Sequence, residues 1–153
     1  LGAVGGYVAA NSTIIDYLVN MSRSFIFSTA LSPADIGAAL AALQIIESDS
    51  SVLRRLQDNV NYMTDCLNSM GIYATNETPI FPILIGSNED TLAVSNHLYN
   101  AGIIGTAIRP PTVPVGESRI RLTVTAAHNR EQIDYVCQTL SKAIKELNCE
   151  GSI

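Results

Sequence analysis

Apolar positions recur along the chain with two different periods, and the change of period marks out the elements. Leu53, Leu56, Val60, Met63, Leu67 and Met70 fall on one stripe, while Arg54, Asp58, Asn61 and Asp65 take the other side. That spacing predicts an amphipathic helix over 50–70, stopped by Gly71. A stripe this short reads as a core-facing surface rather than a coiled coil. Ile133, Val136, Cys137, Leu140, Ile144 and Leu147 predict a last helix, opened by Asn129 with Gln132 as a cap. Between these helices the pattern turns strand-like over 80–85, 103–108 and 119–125. Ser87 and Asp90 cap a further helix that ends at Gly102. The order from residue 80 is β-α-β-β-α, which suits a small antiparallel or mixed sheet with helices on one face.

The first 46 or so residues do not fit that unit. Residues 6–10 are a strand candidate, Thr13 with Asp16 a capping box, and SFIFS (24–28) a buried strand rich in aromatic and β-branched residues. Ser32-Pro33-Ala34-Asp35 is a strong helix start, with the hydroxyl at N-cap, proline at N1 and the acid at N3. The AALAALQII that follows is apolar nearly all round, as in a helix packed on both sides. The expectation is the trailing end of a larger α/β domain with a connecting helix over 1–48, then a small α+β domain over 49–153. The N-terminus lacks an initiator Met and reads like a cut through a longer chain.

Composition narrows the function classes. Nine Lys+Arg against 14 Asp+Glu give a net charge of −5, a poor match for nucleic acid, which needs clustered basic charge. No run approaches the roughly 18 apolar residues of a membrane span, so a soluble protein without a membrane partner is expected. Cys66, Cys137 and Cys149 have no metal-ligand spacing, so no metal is expected; their odd number suits a reducing, cytoplasmic compartment.

Candidate chemistry concentrates in one stretch. Arg119 and Arg121 are two apart in RIRLTVT, so both lie on one strand face with Thr123 and Thr125, opposite Ile120, Leu122 and Val124. Two guanidinium groups on one face can hold a carboxylate bidentately, or serve as a salt-bridged sheet face. Arg109-Pro110-Pro111-Thr112-Val113-Pro114 is a stiff segment, expected to be extended, that can line a substrate channel or merely connect two strands. Ser28-Thr29, after the expected strand, offers hydroxyls for a phosphate or a cap. His97 reads as a partly exposed helix residue, and His128 as a capping or packing residue rather than a base. The only lysines, Lys142 and Lys145, fall about 180° and 120° from Ile133 on the last helix, the solvent side, where neither suits a Schiff base.

The residues also resemble a known family. GTAIRPPTVPVGESRIRLTVTAAHNREQI is similar to the C-terminal signature of the 8-amino-7-oxononanoate synthases, among the pyridoxal-phosphate α-oxoamine synthases. TPIFPILIGSNEDTLAVSNHLYNAGI and SRSFIFSTALSP resemble two further segments of the same enzymes in the same order, and LGAVGGYVAA the stretch after their Schiff-base lysine. The RPPTVP-to-TAAH segment is the specific part. The resemblance implies the C-terminal part of a fold-type I enzyme, homodimeric when complete, with pyridoxal 5'-phosphate as cofactor. Its lysine would lie upstream of Leu1, leaving no catalytic residue in this chain. By the same resemblance Arg121 would hold the amino-acid carboxylate, and Thr29, with Ser28, would reach the cofactor phosphate of the neighbouring subunit. Arg109 and Thr112 would lie near the acyl substrate, and Arg119 would serve structure. The implied reaction condenses L-alanine with a pimeloyl thioester, carried by coenzyme A or a carrier protein, with decarboxylation, a step of biotin biosynthesis. A 2-amino-3-oxobutyrate ligase or another α-oxoamine synthase shares this chemistry with other partners. A lysine-free module that binds a carboxylate without catalysis is the alternative from another class.

Overall fold

The structure is a computed structural model that describes residues 2–75 and 77–150, with backbone only for 148–150. Leu1 and the Asn76 position therefore lie outside the described residues, as does the Cys149 side chain. The chain divides into two compact units, one up to Ser50 and one from Ser51 onward.

The first unit is helical. It contains α1 (Ser12–Met21), α2 (Arg23–Ile26) and α3 (Pro33–Ser48). α3 begins as its sequence predicts: Ser32 Oγ accepts from Asp35 N at 3.2 Å and donates to Asp35 Oδ2 at 2.6 Å. α1 begins two residues earlier than expected. Asn11, not Thr13, is the cap, its Oδ1 accepting from Ile14 N at 3.0 Å. Asn is as good an N-cap as Ser or Thr, and here it stands directly before the first helical residue.

Two expected strands are absent from this unit. Residues 6–10 have no regular structure, and SFIFS is neither a strand nor buried: its first residues form α2 and Phe25 and Phe27 are exposed. The cause is the lack of a neighbouring strand. All three strands among the described residues lie in the second unit. Without a ladder partner, the backbone donors of this segment bond locally, Ile26 N to Ser22 O and Phe27 N to Arg23 O.

The second unit follows its apolar pattern closely. It runs α4 (Ser51–Ser69), β1 (Ile80–Gly86), α5 (Asn88–Asn100), β2 (Thr106–Ile108), β3 (Ser118–Thr123) and α6 (Arg130–Glu150). The sheet is fully antiparallel in the order β1-β3-β2, so β3 is its central strand. Phe81, Ile83, Ile120 and Leu122 point to one side, where they join Val60, Met63, Leu67, Val94, Leu98, Ile133, Cys137 and Leu140 in a single core. The opposite side carries Ile80 and Leu84, both exposed, with Arg119, Arg121 and Thr123. Helices therefore cover one face only.

Caps and turns fix the ends of these elements. Asn129 and Gln132 form a reciprocal box, Gln132 N donating to Asn129 Oδ1 at 2.9 Å and Asn129 N to Gln132 Oε1 at 3.0 Å. Ser87 Oγ accepts from Asp90 N at 3.0 Å. β2 is shorter than the strand expected over 103–108, because Ile103 is still part of the α5 terminus. Its N–H donates to Leu98 O at 2.9 Å across Gly102, the bond that closes a left-handed helix end. Gly105 then passes so close to the core that a Cβ there would stand 2.7 Å from Leu98 Cδ1 and 3.1 Å from Ile120 Cγ2. Among the described residues no single helix is long and apolar enough to cross a membrane.

Candidate functional site

The central strand sets the chemistry of the uncovered face. Alternation buries Ser118, Ile120 and Leu122 and sends Arg119, Arg121 and Thr123 the other way. Ser118, fully buried, donates from Oγ to Asn88 Oδ1 at 2.6 Å, which ties the start of β3 to the first turn of α5. Register then places Arg121 between Pro82 of β1 and Thr106 of β2, and Arg119 between Leu84 and Ile108. The two guanidinium groups thus share the open face, as the spacing predicts.

Their partners differ. Arg119 donates from Nε to the Glu117 carbonyl at 2.9 Å and from Nη2 to Glu117 Oε2 at 3.0 Å. Arg121 is exposed, and its guanidinium makes no hydrogen bond or ion pair among the described residues. One arginine is tied to its own strand; the other presents a free fork. Residues 109–121 hold Arg109, Arg119, Arg121 and Glu117 as their only charged side chains, three cations against one anion in a chain of net charge −5. This uncompensated positive charge is what an anionic ligand would meet.

Arg109 and Thr112 are both exposed, just after β2. The segment is not extended as its prolines suggest. Thr112 N donates to Arg109 O at 3.0 Å, closing a turn in which the Pro110–Pro111 peptide is cis. The two prolines carry no N–H, so Thr112 is the first donor after Arg109, and that carbonyl is within its reach. Arg109 lies three residues beyond Thr106, the partner of Arg121, so about 10 Å of strand separates the two backbones. Ser28 and Thr29 belong to the first unit. Both are exposed, follow α2, and make no hydrogen bond among the described residues, so their hydroxyls are free to donate.

The other titratable candidates are structural. His128 Nδ1 accepts from Thr125 N at 3.1 Å, and Asn59 Nδ2 donates to the carbonyls of Thr125 and His128 at 2.9 and 2.8 Å. The ring holds the turn into α6. His97 Nδ1 lies 3.4 Å from Glu146 Oε2, and Lys142 and Lys145 are exposed on α6. Burial pushes the Cys137 thiol far up from its ordinary range, with Cys66 beside it adding to the effect, so it is a core side chain and not a nucleophile. Among the described residues no cluster of His, Cys, Asp and Glu could hold a metal ion. A cleft of about 460 Å³ among Ile103, Leu122, Val124, His128 and Ile133 is lined by none of Arg109, Thr112 and Arg121.

Sequence reasoning did not single out Glu117 or Asn88. The signal for Glu117 was present, since it stands two residues before Arg119, the spacing that puts side chains on the same side of an extended chain. Asn88 has no such local signal, because it meets Ser118 from 30 residues away.

Known proteins resemble the chain along nearly its whole length. The 8-amino-7-oxononanoate synthase of Thermoanaerobacter pseudethanolicus is 39% identical over 149 residues, covering 97% of this chain and 38% of that protein. The synthase of the same name from Lysinibacillus sphaericus is 41% identical over 148 residues, again 38% of its length. The chain thus spans well under half of the relatives it matches. Among solved structures, serine palmitoyltransferase from S. paucimobilis with a bound PLP–myriocin aldimine superposes with a TM-score of 0.85 at 23% identity, over 97% of this chain and 38% of that one. An 8-amino-7-oxononanoate synthase from Francisella tularensis gives 0.72 at 24% identity, over 90% and 41%. At that identity the likeness establishes the fold, that of the fold-type I pyridoxal-phosphate enzymes. The family model for aminotransferase class I and II matches residues 1–140, and the chain belongs to that family.

Proposed function

We propose that the chain is the C-terminal part of a pyridoxal-phosphate-dependent acyltransferase of the α-oxoamine synthase group, acting on L-alanine and a pimeloyl thioester. In this reading residues 1–48 end the large cofactor domain and 49–153 form the small domain. The observation that carries it is the free fork of Arg121 on the uncovered face of the sheet, beside an arginine already tied to Glu117. The names and identities of the relatives support the choice among amino-acid chemistries.

Arg121 binds the alanine carboxylate through two parallel charge-assisted hydrogen bonds, fixing its orientation as well as offsetting its charge. A planar fork does this better than a lysine, because rotation about a single bond is removed. Arg109 and Thr112, on the turn after β2, face the acyl partner. The exposed hydroxyls of Ser28 and Thr29 fit a phosphate acceptor, and they would hold the cofactor phosphate of a neighbouring subunit in a homodimer. The cofactor supplies the electron sink for loss of the alanine Cα proton and for decarboxylation. Neither Lys142 nor Lys145 fits a Schiff base, since both are exposed to water on α6 rather than desolvated in a pocket. Free thiols at Cys66 and Cys137 suit a cytoplasmic setting.

The test is product analysis with the complete enzyme. Supplied with L-alanine and pimeloyl-coenzyme A or a pimeloyl carrier protein, it should release carbon dioxide and 8-amino-7-oxononanoate in equal amounts. Faster turnover of glycine with an acetyl thioester would instead assign the 2-amino-3-oxobutyrate ligase reaction.

A further inference from the structure

We propose that Glu117 is a specificity-determining residue that keeps the amino-acid site selective for a monocarboxylate by withholding Arg119 from it. The inference rests on the assignment of Arg121 to the substrate carboxylate and extends it to the choice of side chain.

Arg119 and Arg121 project from the same face of β3, two residues apart, so their Cα atoms are about 7 Å from each other. Left alone, such a pair presents two cations at a separation that suits the two carboxylates of aspartate or glutamate. The structure leaves only one of them available. Glu117 takes Nη2 of Arg119 on its carboxylate at 3.0 Å and Nε on its carbonyl at 2.9 Å. The first contact, made by the Glu117 side chain, neutralises the guanidinium; the second, made by the backbone, does not depend on which side chain stands at 117. Arg121, flanked by Pro82 and Thr106, has no carboxylate against it among the described residues. One uncompensated cation therefore meets the ligand, and Leu84 and Ile108, the neighbours of Arg119, offer apolar surface where a second carboxylate would have to go. A ligand with one carboxylate and a small apolar side chain satisfies this arrangement. A second carboxylate would lie beside the Glu117 charge and gain no donor.

Glu117 touches no substrate in this account; it is a positioning residue that acts through Arg119. The Glu117 side chain is 54% exposed, so its loss leaves the core untouched and its effect is electrostatic and modest.

The experiment measures dissociation constants of L-alanine and L-aspartate with the complete holoenzyme, read from the absorbance of the bound pyridoxal phosphate. Glu117→Gln and Glu117→Ala should each improve aspartate relative to alanine by about three- to tenfold, the scale of one partly screened charge-assisted hydrogen bond. Adding Arg119→Gln to Glu117→Gln should return the ratio to that of the parent, a reversal that a merely structural role for Glu117 would not produce. An unchanged ratio in both Glu117 variants overturns the proposal, and so does a gain that survives in the double variant. Arg121→Lys in the same assay separates the two levels. If it weakens alanine while the Glu117 variants change nothing, only the selectivity inference falls; if it leaves alanine unchanged, the carboxylate assignment falls and the inference with it.

Discussion

The helices of the first unit are the more apolar, yet none of their residues is buried, whereas α4 and α6 are more polar on average and supply much of the core. The difference is direction. In α4 and α6 the apolar residues form one stripe, and the sheet and α5 offer a surface that the stripe can meet. In α3 they lie all round the helix, so no single packing surface can cover them, and Ile36, Leu40, Leu43 and Ile45 remain exposed. Hydrophobicity states that a segment needs covering; only its angular distribution says by how many partners.

The largest expected consequence concerns solubility. The 1–153 chain should self-associate, because Phe25, Phe27, Ile36, Leu40 and Ile45 are all exposed apolar side chains of one small unit, and exposed apolar surface drives association. A chain beginning near Asp49 should be monodisperse. Light scattering coupled to gel filtration checks this, and equal monomer content for the two would break the comparison. Next in size is a pair of core truncations. Leu98→Ala, at a fully buried position, should cost about 2–5 kcal/mol in urea unfolding, while Leu40→Ala should cost under about 1 kcal/mol. Gly105→Ala should cost about 1–3 kcal/mol, since its Cβ must displace two fully buried side chains, Leu98 and Ile120. The smallest effect separates two caps of the same kind. Ser87→Ala should lower the stability of the second unit by about 1 kcal/mol, whereas Asn11→Ala should leave its cooperative transition unchanged.

The same contrast explains what was legible in the sequence. The elements of the second unit that were legible carry their signal within the segment itself: the α4 stripe, the Ser87 and Asn129 caps, the alternation around Arg119 and Arg121. What failed there depended on neighbours. The expected strand over 103–108 lost its first half because Ile103 completes the end of α5, and the proline segment closed a turn onto Arg109. In the first unit, SFIFS has strand composition but no strand to pair with, and composition alone carries no information about a partner. Of the candidate site, the shared face of Arg119 and Arg121 could be read from a period of two, but which arginine is free depends on Glu117, whose role appears only once distances are known.

The central claim is that Arg121, not Arg119, holds the substrate carboxylate, and steady-state kinetics of Arg121→Lys and Arg119→Lys in the complete enzyme test it most directly. A lysine keeps the charge and loses the fork, a difference of about 1.5–3 kcal/mol, so kcat/KM for alanine should fall roughly ten- to a hundredfold in Arg121→Lys. The KM for the acyl thioester should change far less, and Arg119→Lys should stay within a few-fold of the parent. A raised alanine KM in Arg119→Lys, with Arg121→Lys unchanged, would contradict the account.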